Sequence, residues 1–118
     1  MRLGTVFLEV GDWARAAACR DWYVRHLGLA IDHEEEGHSV WLDAGGVILG
    51  FHEGEPNSTP SAVNLSFEVS DTDAEAARLQ SEGVTLVAEP WDAPWGARVA
   101  TMVDPAGHGV WISGPLKN

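Results

Sequence analysis

The chain has 118 residues, 45% of them hydrophobic, and a formal net charge of −11; that is long enough for one domain with a working core and too apolar for a disordered segment. No apolar run approaches the roughly 18 residues that cross a bilayer, and the acidic balance disfavours nucleic acid and anionic membranes, both of which select basic patches. The opening Met1-Arg2-Leu3-Gly4-Thr5 has no apolar signal region and a single cysteine, Cys19, cannot form an internal disulfide, so a cytoplasmic protein is expected.

Thr5-Val6-Phe7-Leu8-Glu9-Val10 is rich in β-formers and short enough for a strand. Asp12 can cap the helix that follows, which runs to about Leu27 and stops at Gly28, with Ala16, Cys19, Tyr23 and Leu27 as its buried stripe. Three strand-like stretches come next, Leu29 to Glu34, His38 to Asp43 and Val47 to His52, the last two joined by a tight Gly45-Gly46 turn. An irregular connector, Glu53 to Ser61, carries Pro56, Asn57 and Pro60.

The cycle then restarts. Asn64 to Val69 reads as a strand, and a helix begins at Asp71-Thr72-Asp73-Ala74-Glu75, where Thr72 and Glu75 have capping-box spacing. That helix ends at Gly83; Val84 to Ala88, Arg98 to Val103 and Gly109 to Ser113 supply three more strands. Glu9-Val10 and Asp12 recur as Glu68-Val69 and Asp71, and Ala17-Ala18 as Ala76-Ala77, all 59 positions apart. The pattern is an α+β fold of two βαβββ units, approximately residues 1–55 and 62–115 of one domain, pairing into a curved mixed sheet, or bowl, with helices on its outer face.

Strand alternation divides the faces. Thr5, Phe7 and Glu9, and likewise Asn64, Ser66 and Glu68, point into the bowl, while Val6, Leu8, Val10, Leu65, Phe67 and Val69 form the apolar face under the helices. Glu9 and Glu68 thereby take equivalent places; they can attract a cation, serve as acid and base, or simply lie at solvated strand ends. Of six tryptophans, Trp22 reads as core and Trp13 as a surface or dimer contact, whereas Trp41, Trp91, Trp95 and Trp111 would rim the concavity. Indole offers a large flat apolar face suited to planar ligands and cations.

Among the histidines, His26, His33, His38 and His108 read as surface residues; His52 beside Glu53 is the best candidate for an unconventional metal contact, though two donors fall short of the three a catalytic site supplies. Cys19, on an alanine-rich helix face, reads as a small core residue, and Glu34-Glu35-Glu36 as a solvated turn.

Four segments resemble one family, the vicinal-oxygen-chelate or glyoxalase/bleomycin-resistance/dioxygenase superfamily. They are Trp22-Tyr23-Val24-Arg25-His26-Leu27-Gly28, Phe67-Glu68-Val69-Ser70-Asp71, Pro94-Trp95-Gly96-Ala97-Arg98 and Asp104-Pro105-Ala106-Gly107-His108, in family order over nearly the whole chain. The resemblance implies the two-unit fold and, in the family's enzymes, a divalent metal held by His, Gln or Glu. At the positions where those ligands fall this sequence has Thr5, Asn64, Trp111 and, in the fourth strand, Leu49 or Gly50, so no metal, no other cofactor and no catalytic residue is expected.

The resemblance is nearest in character to metal-free drug-binding members, acidic homodimers that trap planar, often cationic antibiotics. It implies sequestration of a small-molecule ligand by Phe7, Glu9, Trp41, Phe51, Asn64, Ser66, Glu68, Trp91, Trp95 and Trp111, with neither nucleic acid nor membrane as partner. Two other readings stay open: a lyase, isomerase or dioxygenase with a displaced metal site, for which His52, Glu9, Glu68 and Glu53 must converge, and an accessory dimerising domain that binds some small metabolite.

Overall fold

The computed structural model describes residues 3–54 and 63–117. The chain divides into two compact units, Met1–Pro60 and Ser61–Asn118, each with its own sheet and helix. In the first, β1 (Thr5–Glu9), α1 (Trp13–Leu27), β2 (Ala30–Glu35), β3 (Ser39–Asp43) and β4 (Ile48–His52) give a mixed sheet ordered β1-β4-β3-β2, with β1 parallel to β4. In the second, β5 (Asn64–Glu68), α2 (Thr72–Ser81), β6 (Ala88–Asp92), β7 (Arg98–Val103) and β8 (Gly109–Gly114) repeat that order as β5-β8-β7-β6. The expected α+β architecture of two βαβββ units is what forms.

Local chemistry explains the first unit. Asp12 is extended at φ −136° and its carboxylate accepts from the Arg15 N–H at 2.8 Å, satisfying one of the helix's unpaired first-turn donors. Gly28 ends the helix in the left-handed region at φ 71°. Ala16, Cys19 and Tyr23 are fully buried, over a sheet face made of Val40, Leu42, Leu49 and Phe51; Leu27 is only half-buried. Trp22, expected in the core, is also half-buried: one position off the buried stripe, it stands edge-on to Tyr23 and His26 with ring centroids 5.0 and 5.6 Å away. Trp13 lies under the Arg20 guanidinium, 5.8 Å from its ring. Gly45 and Gly46 both take positive φ, 83° and 99°, and close the β3–β4 hairpin with the right-handed twist that two-residue turns need.

The second unit departs from expectation in two places. Its helix cap is Asp71, which accepts from the Ala74 N–H at 3.1 Å, and not Thr72 in a box with Glu75. Thr72 is the first helical residue, and its buried hydroxyl donates to the Arg98 carbonyl at 2.7 Å, while Glu75 pairs with Arg78. The strand expected at Val84–Ala88 is displaced to Ala88–Asp92. The Val84 N–H is spent on the Leu79 carbonyl at the helix end, and pairing with β7 starts only where the Val87 N–H meets the Thr101 carbonyl at 2.7 Å. Pro90 is tolerated inside β6 because that strand is an edge of the sheet.

Arg98 shows what the Pro-Trp-Gly-x-Arg segment does structurally. Its guanidinium grips Asp73 at the start of α2 with two bonds, 2.6 and 2.9 Å, and reaches Asp92 on β6 at 3.1 Å. Hydrogen bonding from Arg98, helped by Lys117 at 3.4 Å, lowers the Asp73 carboxyl from its ordinary 3.8 to about 2. A depressed carboxylate contributes stability above its unfolded value, and that contribution disappears as pH falls from about 4 through about 2. Thermal melts between pH 5 and pH 2 will therefore show a steeper acid loss in the natural protein than in Asp73→Asn; equal slopes would remove Asp73 from the acid response.

Candidate functional site

Each sheet has one face covered by its helix and one open face, and the open faces carry the aromatic side chains. In the first unit the register places Phe7 opposite Gly50 and Gly50 opposite Trp41, with His33 beyond Trp41. Gly50 is the enabling residue. A Cβ there would lie 2.7 Å from Phe7 Cδ1 and 3.3 Å from Trp41 Cδ1, so only glycine lets the two rings meet across β4, at 5.5 Å and 50°. His33 stands edge-on to Trp41 at 5.6 Å. Phe7 is 48% exposed, a large apolar ring facing solvent.

The next row along the same face is Glu9, His52 and Ser39. Trp41 Nε1–H donates to His52 Nε2 at 3.1 Å, which fixes the imidazole proton on Nδ1, turned toward Glu9 Oε1 3.7 Å away. The indole and imidazole planes differ by only 13°, so the two rings, joined at their edges by a hydrogen bond, make one nearly flat plate. Phe7 packs on the imidazole at 4.6 Å.

In the second unit Asn64, Ser66 and Glu68 are exposed along β5, and Ser66 lies opposite Trp111 on β8. Trp95, from the β6–β7 turn, lies near-parallel to Trp111 at 6.2 Å and 28°, and Trp91 stands edge-on to Trp95 at 5.9 Å and 83°. Trp111 Nε1–H donates to Asn64 Oδ1 at 3.2 Å, and Asn64 in turn lies over Gly109. Trp95 and Trp91 remain 60% and 41% exposed. Three indoles in a row, with Trp95 in contact with each of the other two, form an exposed aromatic surface of the kind that often marks a binding site.

Nine of the ten residues expected to bind ligand thus lie on these open faces: Phe7, Glu9 and Trp41 on one, Asn64, Ser66, Glu68, Trp91, Trp95 and Trp111 on the other. Phe51 does not. It pairs with Leu8, has the parity of the helix-covered face, and is fully buried with its ring 5.1 Å from that of Tyr23. His52 and Glu53 also separate, one at the end of β4 and the other just past it: Glu53 turns to His38 at 2.9 Å while His52 turns to Trp41 and Glu9. His108, read as a surface residue, is largely shielded and pairs with the buried Asp104 at 2.7 Å. The Trp41–His52 bond and the part played by His33 escaped the sequence reading.

Each βαβββ unit thus carries aromatic rings together with amide or carboxylate groups on the sheet face away from its helix. The chain belongs to the Glyoxalase/Bleomycin resistance protein/Dioxygenase superfamily, whose family model matches residues 2–112. Among solved structures it is similar to TnmS3, an antibiotic binding protein from Streptomyces sp. CB03234, with TM-score 0.77 and 26% identity over 98% of this chain and 97% of that one. It is also similar to TioX from Micromonospora sp. ML1, with TM-score 0.73 and 27% identity over 98% of this chain and all of that one. A lactoylglutathione lyase from Agrobacterium tumefaciens shares the fold at TM-score 0.77 and 17% identity, covering 96% of this chain and 92% of that one.

Of the positions that the resemblance assigns to metal ligands, Asn64 Oδ1 accepts one bond from the Trp111 N–H, the Trp111 indole offers no lone pair, and a Cβ at Gly50 would meet the Phe7 ring. Among the described residues no three His, Cys, Asp or Glu side chains come together in a way that could hold a metal ion. Among the described residues, too, no helix is long and apolar enough to cross a membrane.

Proposed function

We propose that this protein binds a planar, antibiotic-like small molecule, cationic in class, and acts by sequestering it. The observation that carries the reading is the run of Trp91, Trp95 and Trp111, the first two exposed and the third half-buried, on the sheet face that also carries Asn64, Ser66 and Glu68. Stacked indoles recognise flat π-systems and cations without needing a reactive group, and the acidic net charge of −11 draws cations toward the surface. The similarity to an antibiotic binding protein at 26% identity supports the same reading. Capture of this kind depends on affinity and concentration, not turnover. In this reading the chain works as a cytoplasmic homodimer with neither nucleic acid nor membrane as partner.

The test is a titration of intrinsic tryptophan fluorescence with bleomycin-type and other planar cationic drugs, with metal assayed on the same sample. Saturable quenching in metal-free protein is expected, and Trp111→Ala will weaken it by about fivefold or more, since losing one stacked aromatic costs roughly 1–3 kcal/mol. A stoichiometric, tightly held divalent ion together with no response to drugs would overturn the reading in favour of an enzyme.

A further inference from the structure

The two open faces are not chemically equivalent, and one difference lies beside their carboxylates. Glu9 and Glu68 occupy corresponding positions, but across the sheet from Glu9 stands His52, whereas across from Glu68 stands Ser113. Only the first unit's face therefore places a titratable base beside its carboxylate. The groups facing His52 from the surrounding strands are Glu9 on β1 and Trp41 on β3, with Ser39 across from it in register; His33 on β2 lies beyond Trp41, and Glu53 is engaged by His38.

Resting on the reading of the protein as a binder of planar cations, we infer that the first unit's face is by itself a site for a planar cation. There the Glu9 carboxylate takes the charge, the Phe7–Trp41–His52 rings carry the attached aromatic system, and His52 competes with the ligand for Glu9. Neutral His52 accepts the Trp41 indole N–H and holds the plate flat, leaving the Glu9 carboxylate without a full opposite charge. A protonated His52 carries a proton on Nε2 as well, so it faces the indole donor-to-donor and loses that bond. The resulting imidazolium becomes a counter-ion to Glu9, 3.7 Å away. Protonation thus undoes the aromatic plate and neutralises the acceptor together.

The chemistry predicts a ligand with a fixed positive charge on or beside a flat ring. The probes are 1-methylquinolinium, a planar cation, and quinoline, its neutral counterpart at pH 8, followed through the indole N–H resonances of ¹⁵N-labelled protein. At pH 8 methylquinolinium should bind about three- to fivefold more tightly than quinoline, the size of an exposed ion pair. Its shifts should centre on Trp41, and Glu9→Gln should abolish the preference. At pH 8 His52→Gln, whose amide oxygen can accept the Trp41 N–H, should keep the preference for methylquinolinium. Equal binding of the two probes, or a charge preference that survives Glu9→Gln, would overturn this subsite while leaving the aromatic-platform reading in place. No shift of any indole with either probe at millimolar concentration would overturn that reading itself.

Discussion

Phe51→Ala is expected to destabilise the protein by about 3–5 kcal/mol, the cost of emptying a filled aromatic site in a core. The ring is fully buried, packs at 5.1 Å on the equally buried Tyr23, and lies among Val40, Leu42 and Leu49 beneath α1. Removing it leaves a void bounded by a helix and a sheet, neither of which can collapse without breaking its own hydrogen bonds. The melting temperature should fall by roughly 10 °C or more. Phe51→Leu keeps most of the volume and should stay folded, with a loss of about 1 kcal/mol, and it should bind planar drugs as the natural protein does. If Phe51→Leu were as stable as the natural protein but lost drug quenching, Phe51 would belong to the ligand face and the assignment of the two sheet faces would be wrong.

Phe51 also marks where the sequence could be read and where it could not. Alternation along β1 separates Phe7 and Glu9 from Leu8 and Val10, and the structure keeps that division: Leu8 and Val10 are buried, Phe7 and Glu9 exposed. The same alternation carried across to β4 assigns Phe51 to the core, because counting outward from the Gly45-Gly46 turn pairs Trp41 with Gly50 and Ser39 with His52. The proximity of His52 to Trp41 was legible by that count. Its hydrogen bond was not, since it depends on the ring rotations that Phe7 imposes. Helix caps were legible where the capping residue begins its own motif, as Asp12 does; at the second helix two adjacent polar residues, Asp71 and Thr72, competed for the cap. The long-range Arg98 carbonyl decided the outcome by claiming the Thr72 hydroxyl. Likewise, apolar Val84 and Val87 have the composition of a strand, yet the end of α2 consumes the first of their backbone donors and moves β6 toward Trp91. The contact of Trp95 with Trp111 arises from that displaced hairpin and its irregular pairing between Ala88 and Trp91, which no local pattern encodes.

The second large effect is expected at Asp104, in the turn that joins β7 to β8. The family-like Asp104-Pro105-Ala106-Gly107-His108 segment is held by one buried carboxylate. Oδ1 accepts from the Ala106 and His108 N–H groups, each at 2.9 Å, and Oδ2 meets His108 Nδ1 at 2.7 Å. Gly107 takes φ 88° where the chain reverses, and its N–H returns to the Asp104 carbonyl at 3.0 Å. Asp104→Ala removes the acceptor from two backbone donors and one imidazole in a shielded turn, and charge-assisted bonds lost in this way cost more than neutral ones. A loss of about 3 kcal/mol is expected, visible as a lower urea midpoint at unchanged slope. Asp104→Asn retains an oxygen for the two backbone donors and should lose only about 1 kcal/mol. The turn also sets the register that brings Trp111 opposite Ser66 and Thr101, two residues beyond Gly109 on β8. Folded Asp104→Ala protein should accordingly show weakened drug quenching, while Asp104→Asn quenches normally. If Asp104→Ala matched the natural protein in both midpoint and quenching, the carboxylate would hold neither the turn nor the tryptophan platform in place.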